Sequence, residues 1–348
     1  MTKTNWPELS CPIHGKLLTD YADGLVCEDQ CSYPRMNGIG RFVPCESYTA
    51  AFGLQWNKYR RTQLDSYTGL PLTRDRLRRC IGEVLWRALP EKQVLEAGCG
   101  AGRFTEILLE AGAYVTSVDL SAAVNANQEN CPQGGHHRIL QADILRLPFA
   151  PRQFDVVLCL GVIQHTPNPE TTIAALFEQV KPGGWLVIDH YTYTLSYFTK
   201  TAPLFRAVLR RLSPDKGMRF TERLVDALLP LHRAVRHFYP AQMLLSRLSP
   251  LLCYYHAHPG LNDELQRAWA YLDTHDSLTD WYKHFRTRGQ IRTTLEKLGL
   301  CEIWCECPGN GNVEARGQRR PQPVQESGSE ESKRQPEKVW DSCSVAVR

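Results

Sequence analysis

Three sets of residues carry types and spacings that could do chemistry. The first is the glycine run in VLEAGCGAGRFT, where Gly98, Gly100 and Gly102 follow an aliphatic stretch ending at Ala97. Glycine lacks a Cβ, so a strand-to-helix turn built this way bends sharply and brings bare backbone N–H groups against a ligand. Glu96 stands two residues ahead of the first glycine. A carboxylate there would repel a pyrophosphate, so the turn suits a ligand with a cationic centre. The second set is a pair of acids at expected strand ends, Asp119 in AYVTSVDLS and Asp143 in LQADILRLPF. The first can accept ribose hydroxyls and the second an adenine amino group. The third set lies downstream: Gln164 and His165 after QFDVVLCLGVI, His190 in WLVIDHY, and His275 with Asp276 in LDTHDSLTDWYKH. Imidazoles and carboxylates are the side chains that move protons near neutral pH.

Such residues act together only if an open α/β sheet brings its strand ends to one rim. The order supports one: a buried strand, the glycine turn, a helical run, then further strand-like runs ending in the Pro-Gly-Gly turn before WLVIDHY. A glycine turn alone also fits other nucleotide-binding α/β domains. The five signals together resemble the class I S-adenosylmethionine-dependent methyltransferases, roughly from Lys92 to His190 with a weaker tail to Gly317. The resemblance implies a Rossmann-like seven-stranded sheet with an antiparallel last strand and S-adenosylmethionine as cofactor. It also implies cofactor contacts from Glu96, Gly98, Gly100, Gly102, Asp119, Leu120, Asp143, Ile144, Leu160 and Gln164. Methyl transfer is an in-line displacement that mainly needs positioning, with a base only for a protonated acceptor. His190, His165, His275 and Asp276 are the catalytic candidates, with Tyr282 or Lys283 orienting the acceptor. Asp273 and Asp276 could instead be helix N-caps.

Upstream, Tyr48 to Thr68 is aromatic-rich and helix-compatible, and Trp56, Tyr59 and Arg60 could share one face toward the cofactor. A docking helix between domains is the alternative. Leu72 to Leu89 reads as one amphipathic helix. At the N-terminus, Cys11 and His14 form one close pair and Cys27 and Cys31 another. Four such ligands suit structural zinc, and the segment resembles the zinc-ribbon-like modules ahead of some methyltransferases. Histidine replaces one cysteine of the usual pattern and the second spacing is longer, so packing without metal is the competing reading. Cys45 and Cys80 read as buried thiols.

After the fifth strand, ten Lys or Arg and only three acids lie between Ser196 and Pro250, with leucines at helical spacing. This reads as an inserted helical cap, either a solvated face or a basic surface for an anionic substrate or a peripheral membrane contact. Gln290 to Gly299 fits a last core helix. Leu300 to Cys307 and Val313 to Arg316 fit an antiparallel strand pair. The expected organisation is thus a zinc-ribbon-like module over 1–46, linker helices over 47–91 and the cofactor-binding core over 92–194. The cap follows over 195–285, the last core helix and hairpin over 286–317, and a disordered tail over 318–348.

The chain has 348 residues, 13 cysteines and a net charge of +4, too mild to demand a polyanionic partner. No apolar run follows MTKTNWPELS, and MLLSRLSPLLCYY is interrupted by Arg247 and Pro250, so the cytoplasm is the expected compartment. The leading expectation is a methyltransferase acting on oxygen or nitrogen of a small-molecule, sugar or lipid-linked acceptor. An RNA base methyltransferase is one alternative, since a zinc module ahead of this fold resembles a bacterial ribosomal RNA guanine methyltransferase. Against it, GVIQHTPNP stands where an N-P-P-Y/F motif would be. A non-catalytic S-adenosylmethionine-binding partner or activator is the other.

Overall fold

A computed structural model of the chain describes residues 6–43, 48–194, 200–309 and 311–322. The N-terminal strands are β1 (Leu18–Asp20), β2 (Gly24–Cys27), β3 (Ser32–Met36) and β4 (Ile39–Arg41). The remaining ones are β5 (Gln93–Ala97), β6 (Tyr114–Asp119), β7 (His137–Gln141), β8 (Phe154–Cys159), β9 (Val180–Tyr191), β10 (Leu300–Glu306) and β11 (Asn312–Arg319). Consecutive residues of the central strands go to opposite faces. Val94, Val156 and Val187 pack with Leu77 and Ile107, whereas Leu95, Val157 and Ile188 pack with Ile173 and Leu295. Strands apolar at successive positions are what a sheet covered by helices on both sides requires.

The sheet order is β1-β2-β3-β4-β7-β6-β5-β8-β9-β11-β10. From β7 to β9 the neighbours run parallel, β11 is antiparallel to β9, and β10 is antiparallel to β11. Among the described residues the sheet thus holds eleven strands, the seven from β5 to β11 and four from the N-terminal segment, which was expected as a separate module. The N-terminal segment joins the sheet because β4 pairs parallel with β7, Gly40 opposite Leu140. Ile39 is buried with Ile139, Val124 and Cys99, and Arg41 donates to Gln141 Oε1 at 2.9 Å and Asn125 Oδ1 at 2.7 Å.

Several element boundaries differ from expectation. The single helix expected over Leu72 to Leu89 is two, Leu72–Ile81 and Glu83–Arg87, broken at Gly82 with φ +81°. Among the described residues, the cap helices Ala202–Leu209, Pro214–Ala234, Tyr239–Leu248 and Asp263–Thr279 lie between β9 and the last core helix, Arg288–Lys297. The helix Asp263–Thr279 starts at Asn262, whose side chain accepts the Leu265 N–H at 2.8 Å. Asp273 and Asp276 are thus mid-helix residues and not caps. At the other end β11 continues through Gln318 to Arg319, which pairs with Leu300 and lays its guanidinium 3.8 Å from the Phe177 ring centre. The structured part therefore extends past the expected boundary at 318. The tail from 323 and Cys45 lie outside the described residues. Cys80 is fully buried. Among the described residues no helix is long and apolar enough to cross a membrane.

Candidate active site

β5 delivers the chain into Gly98, Gly100 and Gly102 at φ +82°, +51° and +93°, and the helix Arg103–Glu110 follows. A Cβ on Gly98 would lie 2.2 Å from Val162 Cγ2, so no larger residue fits where the turn passes the loop after β8. Asp119, at the end of β6, ties the turn down. Its Oδ2 accepts the Gly100 N–H at 2.9 Å, and its Oδ1 accepts the Ser121 N–H at 2.8 Å and hydroxyl at 2.7 Å. Burial raises its pKa above the ordinary carboxylate value. A carboxylate has about four acceptor positions, so Asp119 keeps capacity toward the cavity it lines. Asp143 caps the short turn Ile144–Arg146 by accepting the Leu145 N–H at 2.9 Å, and it lines the same cavity.

That cavity holds about 930 Å³ and runs from the glycine turn to the cap. Ligand sites of about 300–1,000 Å³ hold drug-sized molecules, so a nucleoside-sized ligand leaves room beside it. Of the residues expected to touch the cofactor, Trp56, Gly98, Gly100, Asp119, Leu120, Asp143, Ile144, Leu160 and Gln164 line it. Of the catalytic candidates, His165 and Asp276 line it. Two buried acceptors on its wall, Gln164 Oε1 and Asp276 Oδ1, have no hydrogen-bond partner among the described residues.

His165 stands where the loop after β8 meets the cap. Its Nδ1 lies 3.2 Å from the Tyr282 carbonyl oxygen and 3.2 Å from Asp280 Oδ2. Both neighbours accept, so Nδ1 carries the hydrogen and Nε2 is left as the basic nitrogen. Burial opposes the charged imidazole, but the contact with Asp280 and the charges of Asp276 and Asp280 outweigh it, and the pKa moves up. Asp280 is itself buried between Arg206, which donates to it, and Lys283, whose Nζ is 3.2 Å from Oδ2. Burial works against its charge, yet these cations hold its pKa below the ordinary value. The His284 N–H adds a backbone tie by donating to the Gln164 carbonyl at 3.0 Å.

Six expected site residues are placed elsewhere. Glu96 does not line the cavity. It is buried beneath the turn, accepting hydrogen bonds from the Thr105 and Ser117 hydroxyls, and burial raises its pKa to about 7. Gly102 also lies off the cavity wall, packed against the Asn127 side chain. The helix Ala50–Lys58 stops before Tyr59 and Arg60, so neither shares a helical face with Trp56. Tyr59 donates to Glu222 and stacks on Tyr271, and Arg60 binds Asn130 and Glu129. His190 is buried, its Nδ1 2.9 Å from the Tyr191 carbonyl, and burial lowers its pKa to about 4. His275 is buried facing Thr221, its Nδ1 3.4 Å from the hydroxyl, and burial again lowers the pKa to about 4.

The cavity wall also carries Asp189, Arg76 and Arg79, which the motifs did not single out, and Asp273 of the downstream acidic cluster. Asp189 accepts the Gly161 N–H at 2.6 Å and pairs with Arg76 of the helix Leu72–Ile81. From the same helix Arg79 makes a bidentate pair with fully buried Glu314 at 2.8 and 2.7 Å. Glu314 and Arg316 themselves lie off the wall, Arg316 donating to the Cys80 carbonyl at 3.2 Å. Asp273 accepts from Gln63 at 3.0 Å and from the Tyr254 hydroxyl, and burial raises its pKa to about 6. A residue-type signal existed for Asp189, an acid in an otherwise apolar strand, but it stood beside the more conspicuous His190.

Away from the cavity, the four expected metal ligands converge. The Sγ atoms of Cys11, Cys27 and Cys31 lie 3.8, 3.7 and 3.6 Å from His14 Nδ1. Metal–sulfur and metal–nitrogen bonds of about 2.3 and 2.1 Å at a tetrahedral angle give a sulfur–nitrogen edge of roughly 3.6 Å, which these three distances match, although the donors cluster as Cys11, His14 and Cys31 and as His14, Cys27 and Asp29, not as all four together. Asp29 Oδ2, 3.4 Å from the same nitrogen, is a further oxygen donor beside His14 and Cys27.

Residues 95–188 match the family model described as a methyltransferase domain. The ubiquinone biosynthesis O-methyltransferase of Pseudomonas fluorescens (strain Pf0-1) is 38% identical over 100 residues, 28% of this chain and 43% of that protein. The Nitrosospira multiformis protein of the same name is 35% identical over 102 residues, 28% of this chain and 42% of its own length. The chain thus spans less than half the length of the curated relatives it matches. A solved S-adenosylmethionine-dependent methyltransferase from Thermotoga maritima, titled a possible histamine N-methyltransferase, is 16% identical with a TM-score of 0.41, covering 78% of this chain and 99% of that one. Residues 95–188 are thus similar to a methyltransferase domain.

Proposed function

We propose that the chain transfers a methyl group from S-adenosylmethionine to an oxygen or nitrogen of a small-molecule, sugar or lipid-linked acceptor. The observation that carries this reading is one cavity joining Gly98, Asp119 and Asp143 to His165. Asp119 would accept the ribose hydroxyls and Asp143 the adenine amino group, while the backbone at Gly98 and Gly100 admits the cofactor closely. When bound, the cofactor supplies an electrophilic methyl group. His165 Nε2 takes the proton from a hydroxyl acceptor, and Asp280 and Tyr282 keep its ring in the tautomer that can do so. The names of the relatives, O-methyltransferases of ubiquinone biosynthesis, favour oxygen. Calorimetry tests the donor half: Asp119→Ala should weaken S-adenosylmethionine binding about ten- to a hundredfold, as loss of a charged hydrogen-bonding pair does. Unchanged affinity would overturn it. Donor binding without transfer to any phenol, amine or sugar acceptor would favour a binding partner over an enzyme.

The thiol and imidazole donors at Cys11, His14, Cys27 and Cys31 support a second proposal, one structural zinc ion. Such a site would supply folding free energy to a segment whose buried apolar cluster is confined to Cys11, Leu25, Cys27 and Tyr33.

A further inference from the structure

One corner of the cap carries apolar side chains that no part of the described chain covers. Leu204 and Val208 are 73% and 64% exposed on the helix Ala202–Leu209, and Leu244 and Leu248 are each 64% exposed on the helix Tyr239–Leu248. The two helices meet end to end: the Thr201 hydroxyl donates to the Leu248 carbonyl at 2.9 Å and its N–H to the Arg247 carbonyl at 3.2 Å. On the first helix Leu204 and Val208 stand at i and i+4 and so share one stripe, and Arg210 and Arg211 follow just past its end. Single exposed leucines are ordinary, but a contiguous group of them marks a contact surface.

The charge around this corner says what the contact is with. The ion pairs of the cap use Arg206 with Asp280 and Arg233 with Asp263, leaving Arg210 and Arg211 outside any ion pair among the described residues. Of the nearby acids, Glu222 is engaged by Lys58 and Tyr59 and Asp226 by Tyr271, and Asp215 alone faces Arg210, Arg211, Lys216 and Arg219 in sequence, so the corner is net basic. Exposed leucines flanked by uncompensated arginines are complementary to an apolar layer beneath a negatively charged surface.

We propose that this corner of the cap docks on an anionic lipid bilayer. The cavity makes the arrangement useful. Lys200 and Ala202 at the entry of the first helix, and Pro250 and Leu251 just past the second, line the cavity that contains His165. Docking would set that wall of the cavity at the bilayer, so that an apolar acceptor enters from the lipid without crossing water. The acceptor clause rests on the methyl-transfer reading; the docking itself does not.

Sedimentation of the full chain with vesicles tests it. Binding is expected to phosphatidylcholine vesicles containing about 30% phosphatidylglycerol, weakening as salt is raised, with little binding to phosphatidylcholine alone. Leu204→Asp with Val208→Asp should lower the partition about tenfold or more, and Arg210→Glu with Arg211→Glu should abolish the preference for the anionic lipid. Leu204→Ser, a milder change, should give a graded loss with an unchanged thermal unfolding curve. Equal partition of the wild type and these variants, or no vesicle binding at all, overturns the proposal. So does light scattering that shows a dimer dissolved by Leu204→Asp, which would make a second copy of the chain the occupant. S-adenosylmethionine affinity, measured in parallel, should be unchanged in every variant. Its presence without vesicle binding would sink the docking alone, and its absence in the wild type would sink the methyl-transfer reading alone.

Discussion

His165 Nδ1 lies 3.2 Å from Asp280 Oδ2, and the two residues come from different parts of the fold, the loop after β8 and the end of the helix Asp263–Thr279. The cap therefore reaches into the proposed catalytic group electrostatically as well as covering it.

In the wild type, the contact with Asp280 holds the His165 pKa above its ordinary value of about 6.5 despite burial. In Asp280→Asn that attraction is lost while burial remains, so the midpoint should fall. An NMR titration of the His165 ring reads this directly. Methyl transfer should rise with pH through the wild-type midpoint, because only the neutral ring accepts a proton. An unmoved midpoint in Asp280→Asn would uncouple the pair.

Glu96 supplies a second pH dependence of opposite interest. Its folded-state pKa of about 7 exceeds the unfolded value, so its contribution is fully present below about pH 4.5 and is lost as pH rises through 7. The shift corresponds to roughly 3 kcal/mol. Glu96→Gln keeps an acceptor for Thr105 and Ser117 but cannot ionise, so between pH 5 and pH 8 it should gain about that much stability relative to the wild type. Urea unfolding at the two pH values checks it, and parallel slopes in both proteins would refute it.

The metal proposal has an elemental readout. Protein purified without added metal should carry about one zinc per chain, and Cys27→Ser with Cys31→Ser should lose it along with stability of the N-terminal strands. Zinc retained by that variant would move the ligands elsewhere.

What the sequence showed and what it hid divides along physical lines. The glycine turn, Asp119 and Asp143 were legible because turn geometry and strand ends are local. Tyr59 and Arg60 were misplaced because a shared helical face presumes the helix continues, and it stops at Lys58. His190 was chosen over Asp189 because β9, covered on both sides, gives no hydrophobic alternation by which to set the phase of its side chains. The link of Asp280 to His165 spans more than a hundred residues, and no local pattern announces it.

The parallel pairing of β4 with β7 has a consequence for the whole molecule. Without β4, the outer side of β7 would present a row of unpaired N–H and C=O groups, an open edge on which another chain could add a strand. The N-terminal segment thus acts as a guard against unwanted strand pairing. Shortened forms that begin after Arg41 would expose a self-association template even where the cofactor pocket stayed intact.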